Sequence, residues 1–143
     1  MATTTNRYLS IPAAAAGISR ASSGGAAWSQ SAYTEVVAAN AITVTYFIAG
    51  ASWMYHTPVA AADVSYEVLF QLATGAAAAE VLALEFAGVF RADTAVGFVP
   101  EGRVTFPEPR EIAANTRLSF RIAQSLATTV NTITGFKLLY QRV

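Results

Sequence analysis

The chain has no cysteine, one lysine (Lys137), one histidine (His56) and little charge of either sign. Without cysteine there is no disulfide, no thiolate nucleophile and no Cys-based zinc site, and nothing in the composition marks the redox compartment. A single histidine rules out the histidine cluster that a cupin-type metal site requires. It leaves one catalytic triad to consider, His56 with Asp63 or another acid beside a serine, and no Gly-x-Ser-x-Gly elbow is present to support it. Charged residues make up 13% of the 143 residues, against about 25% in an average soluble domain. Net charge is +0, so no global field draws in nucleic acid or an anionic membrane. Walker, dinucleotide-binding, EF-hand and Asn-x-Ser/Thr motifs are all missing. Glu67 and Glu85 are the best carboxylate pair for glycoside hydrolysis, but each falls on the outward face of an expected strand, where pairing with Arg91, Arg117 or Arg121 is the simpler role. No catalytic, cofactor-binding or metal-ligating residue is therefore assigned, and the chain reads as a non-enzyme.

What the chain does have is alternation. Leu118, Phe120 and Ile122 interleave with Arg117, Ser119 and Arg121, and Val64, Tyr66, Val68, Phe70 and Leu72 share one face of another run; both show the two-residue period of a half-buried strand. Further strands are expected at 32–39, 42–48, 52–55, 96–99, 103–106 and 132–142. The Pro100-Glu-Gly102 turn joins two of these as a hairpin. Pro107 and Pro109 exclude regular central-sheet pairing between them. Residues 76–90 are ambiguous, because Ala76–Glu80 favours helix while Leu82, Leu84, Phe86, Gly88 and Phe90 alternate; a strand over 81–91 is the preferred reading. Val36 to Ala62 carries no charge, yet its polar interruptions and β-branched alternation suit buried strands better than a membrane helix. The fold expected is all-β: an antiparallel β-sandwich or jelly roll of about eight strands at 31–143.

Residues 1–30 differ, with Thr3–Thr5, Ala13–Ala16 and Ser22–Gly25 giving small polar and alanine steps. A frayed terminus is one reading of such a segment; against it, Tyr8, Leu9, Ile11, Ile18 and Trp28 are apolar anchors that a solvated tail would not need, which suggests an extended arm lying along a neighbouring subunit. The N-terminus lacks a signal-peptide pattern, so cytoplasmic synthesis is expected. The eight arginines against one lysine suit interface ion pairs, since the guanidinium fork is rigid and weakly hydrated; a genome's base composition produces the same bias. Trp28, Trp53, Tyr33, Tyr46, Tyr55, Tyr66 and Tyr140 suit either a sugar platform or core and interface anchors.

Pro109-Arg-Glu-Ile-Ala-Ala-Asn-Thr-Arg-Leu-Ser-Phe-Arg-Ile-Ala-Gln124 and Gly135-Phe-Lys-Leu-Leu-Tyr140 resemble the C-terminal part of small virion accessory proteins of tailed bacteriophages. The shared pattern is a proline-rich approach into a strand of the form Pro-x-x-Ile, small residues, Thr-Arg-apolar-x-x-Arg, then a last strand ending near an aromatic. Asn115 stands where glycine is expected at the turn, and asparagine accepts left-handed geometry. The resemblance implies a capsid decoration (cement) protein of the virion surface, present in the host cytoplasm during assembly. Its partners would be the major capsid protein and itself, as a homotrimer over capsomer junctions, with no nucleic acid, membrane or cofactor. Tyr8, Leu9, Ile11, Ile18, Trp28, Arg117 and Arg121 are the candidate interface residues, with Arg117 and Arg121 facing a partner or a neighbouring strand's carboxylate. A receptor- or carbohydrate-binding tip on the same fold is the alternative.

Overall fold

A computed structural model describes residues 9–12, 17–22, 26–56, 64–92, 101–127 and 132–142. Nine strands are present among them: β1 (Leu9–Ile11), β2 (Ile18–Ala21), β3 (Thr34–Val37), β4 (Tyr46–His56), β5 (Val64–Thr74), β6 (Val81–Ala92), β7 (Glu101–Ile112), β8 (Leu118–Gln124) and β9 (Thr132–Arg142). They form two antiparallel sheets. Sheet A runs β1-β9-β4-β7 with β2 also on β9, and sheet B runs β3-β8-β5-β6. Because β1 and β2 share one lane beside β9, the nine strands fill eight lanes in the order of a jelly roll. Among the described residues no helix is long and apolar enough to cross a membrane.

The alternating residues explain how the sheets face each other. Leu118, Phe120 and Ile122 from β8, and Tyr66, Val68, Phe70 and Leu72 from β5, are buried in one apolar cluster with Ile48, Trp53, Phe136 and Leu138 of sheet A. Phenyl rings interleave across it: Phe120 stacks on Phe136 at 4.2 Å, Phe136 lies 6.0 Å from Phe70, and Phe70 stacks on Phe86 at 4.8 Å. A core of this type draws its stability from apolar area removed from water, about 25 cal/mol per Å².

Several local expectations are refined. The two strands expected at 42–48 and 52–55 merge into one strand, β4, which begins only at Tyr46 and leaves 42–45 outside it; its small residues Ala49-Gly50-Ala51 hold a register shift between Ile48 and Gly50 instead of a loop. Residues 81–92 are strand and not helix. The helix-favouring alanines form the turn ahead of it, where the Ala79 amide donates to the Ala76 carbonyl at 3.0 Å, and β6 itself pairs with β5 along its whole length. A shift at Leu72/Ala73 sets Leu84 opposite Leu72 but Leu82 opposite Ala73, which turns Leu82 out of the core. β7 runs through Pro107 and Pro109, which an edge lane tolerates, and its ladder to β4 breaks there, from Thr105↔Gly50 to Arg110↔Ile48. The partner expected for 103–106, at 96–99, lies outside the described residues.

Two segments of the expected arm, β1 and β2, are built into sheet A. β1 pairs with Tyr140, Leu139 and Leu138 of β9, and β2 pairs with Phe136, Ile133 and Thr132. Gly17 crosses directly over Gly135, where a Cβ would stand 2.5 Å from the Gly135 carbonyl carbon. Only glycine allows the backbones this close. At the β3–β4 end, Asn40 and Asn115 both adopt left-handed φ, 64° and 63°, and the Asn40 amide donates to the Asn115 carbonyl at 3.2 Å.

Candidate assembly surface

The outer face of sheet B carries the charged side chains that the sequence singles out. Arg117, just ahead of β8, donates from Nε to Glu35 Oε2 at 2.8 Å, and from Nη1 to Glu80 Oε1 at 3.1 Å and the Gly75 carbonyl at 3.2 Å. One guanidinium thus ties β3 to β8 and to the β5–β6 turn. Of the two expected settings for Arg117, this is the neighbouring strand's carboxylate. Glu35 and then Glu80 hold the guanidinium in its charged form. Partial burial works against the Glu80 carboxylate, but its own backbone amide, the Arg117 bond and charge, and the Ala78 amide together keep it below the ordinary carboxylate range.

Arg121 belongs to a second row. Its guanidinium lies 4.4 Å from the Tyr33 ring centroid, and its Nε donates to Gln71 Oε1 at 2.7 Å, while Gln71 Nε2 donates to Glu85 Oε2 at 2.5 Å. Register explains the row, since Gln71 stands opposite Arg121 on one side and Glu85 on the other. Buried Gln71 is satisfied at both ends of its amide, which is what its burial requires. Beside this polar row runs an apolar one, in which Leu69 stands opposite Ala123 and Ala87.

The remaining candidate residues separate. Ile11 is buried in the core, and Ile18 packs against it. Leu9 and Trp28 are exposed on the surface, and Tyr8 lies outside the described residues. Trp28 adopts a left-handed φ of 62°, rare for a bulky residue, and its amide donates to the Gln124 carbonyl at 2.6 Å. Trp53, Tyr46, Tyr66 and Tyr140 are core residues and cannot form a sugar platform. Glu67 meets Ser125 through its backbone, its amide accepted by Ser125 Oγ at 2.9 Å. His56 ends β4 opposite Thr132, and Asp63 lies outside the described residues. Among the described residues no three metal-ligating side chains stand together.

No family model matches the sequence, and no curated protein matches it.

A feature that sequence reasoning missed is the free edge of β6. Among the described residues β6 bonds on one side only, to β5. Val81, Leu82 and Val89 on it are 67%, 49% and 75% exposed. A cleft of about 600 Å³ separates its Ala83–Phe86 segment from Val104–Arg110 of β7, with Phe86 and Phe106 in contact at 5.2 Å. The signal available was compositional: Glu85 is the sole charge from Val81 to Phe90. Which lane ends a sheet, however, is decided by topology and not by a single strand's sequence.

Proposed function

We propose that this chain is a structural virion protein that decorates and stabilises a bacteriophage capsid, docking as an oligomer through sandwich faces and edges. One observation carries the reading: Val81, Leu82 and Val89 are exposed on a strand that, among the described residues, is uncovered along one edge, while Arg117 and Arg121 already have partners within the chain. Such a surface gains by being covered with protein. The resemblance at 109–124 and 135–140 supplies the capsid as the thing covered, with the major capsid protein and sister subunits, three in the implied assembly, as partners. Co-sedimentation with empty phage heads, together with the heads' thermal transition, tests this. Binding that raises the transition is the expected result, and heads that neither bind nor stabilise would remove the proposal.

A receptor- or carbohydrate-binding tip is the second reading, favoured by Trp28, an exposed indole held on a left-handed backbone. Glycan-array binding lost in Trp28→Ala would support it. Equal glycan signals for wild type and variant would dismiss it.

A further inference from the structure

We propose that the free edge of β6 pairs antiparallel with β6 of a second copy of this chain, about a two-fold axis at Gly88. The seam does not depend on the capsid reading, and it is distinct from any threefold contact that the resemblance implies. A long edge strand with unpaired backbone groups and exposed apolar side chains invites strand addition unless charge, proline or a bulge blocks it. β7, the adjoining edge of sheet A, is blocked by Pro107, Pro109 and the charges Arg103, Glu108, Arg110 and Glu111. β6 has one irregularity, near its start, and one charge before Arg91. Among the described residues β7 pairs with β4 and does not cross to β6, and a cleft lies between the two.

The occupant follows from the strand's self-complementarity. A two-fold axis at Gly88 sets position 85 of one copy opposite 91 of the other, 87 opposite 89, and 86 opposite 90. Glutamate then stands opposite arginine twice. Val89, the most exposed large apolar residue described, stands opposite Ala87 twice, and Phe86 stands opposite Phe90. Opposite charges and apolar pairs directly across a ladder each stabilise it. Other centres do worse: an axis at Glu85 sets carboxylate against carboxylate, one at Val89 leaves Arg91 opposite Ala87, and one at Ala87 leaves Glu85 opposite Val89. Pairing at Gly88 merges the two four-stranded sheets into one continuous sheet.

Charge reversal reads out the register. The full-length chain should self-associate in sedimentation equilibrium, Glu85→Arg and Arg91→Glu should each weaken that association about tenfold, and the double reversal should restore it. Glu85 also bonds Gln71, so a second test leaves it untouched. Ala87→Cys and Val89→Cys are made separately, in a chain whose cysteine count is 0. Mixed and oxidised, the two variants should give a disulfide-linked dimer faster than either does alone. A wild type that stays monomeric, an association indifferent to both reversals, or cross-linking no faster in the mixture than in the single variants would overturn the proposal.

Discussion

The indole of Trp53 lies over the bare Cα of Gly102, its partner across the β4–β7 ladder; a Cβ at 102 would stand 2.2 Å from Trp53 Cε2. That placement holds the indole against Phe70 at 4.7 Å and Phe86 at 6.0 Å. Gly102→Ala must therefore displace the ring from the aromatic core, and overpacking of this kind costs about 1–3 kcal/mol. Urea denaturation should show the loss. Combined with Trp53→Phe, the alanine should cost less than it does alone, and a fully additive pair would contradict the proposed contact.

Tyr46 is fully buried and packs edge-on against Tyr140 at 5.7 Å, yet its hydroxyl has no protein partner. Burial, reinforced by Tyr140, pushes its pKa up to about 12 from 10.0. A raised folded value means that the folded state holds its proton more tightly. The resulting stability is intact below pH 10 and drains away as pH rises towards about 12. Tyr46→Phe keeps the ring and removes the unsatisfied group, so it should be neutral or stabilising at pH 7, because leaving such a group buried costs about 1–3 kcal/mol. It should also flatten the alkaline loss, which thermal melts between neutral and strongly basic pH would record.

Arg117 joins three segments, and Glu80 is held below its ordinary range in part by it. A lowered carboxylate pKa contributes stability above the unfolded value and loses it as pH falls through the folded one. Arg117→Gln should lower the denaturation midpoint at neutral pH and show a smaller further drop on acidification than wild type. Parallel pH profiles for the two proteins would contradict this assignment.

The N-terminal segment gives a clear contrast between truncations. Removing residues 1–8 spares β1 and β2, whereas removing 1–25 deletes both strands from β9 and takes Ile11 out of the core. The long deletion should be several degrees less stable than the full chain and, if soluble, show increased binding of a hydrophobic dye.

Much of this was legible where the two-residue period runs unbroken. The faces of β5 and β8 follow directly from it, as does the left-handed turn at Asn115. Leu82 misleads because the shift at Leu72/Ala73 reverses its face, and a register shift leaves no trace in one strand read alone. Ala49-Gly50-Ala51 reads as a break because small residues also suit a strand whose backbone crowds a neighbour; a Cβ at Gly50 would stand 2.3 Å from the Val104 carbonyl oxygen. The Tyr33–Arg121–Gln71–Glu85 row draws on four separate segments. Its residues were visible singly, but their meeting depends on long-range register.

Pro107 and Pro109 also limit how many neighbours a protomer can recruit. The far edges of the two sheets are short, with β3 at 4 residues, β1 at 3 and β2 at 4, and β7 is closed by its prolines and charges. Among the described residues each molecule therefore offers one long edge for strand addition. Were two copies to join there as proposed, both such edges would be used, and growth by strand addition would end at a pair instead of running on into a fibre.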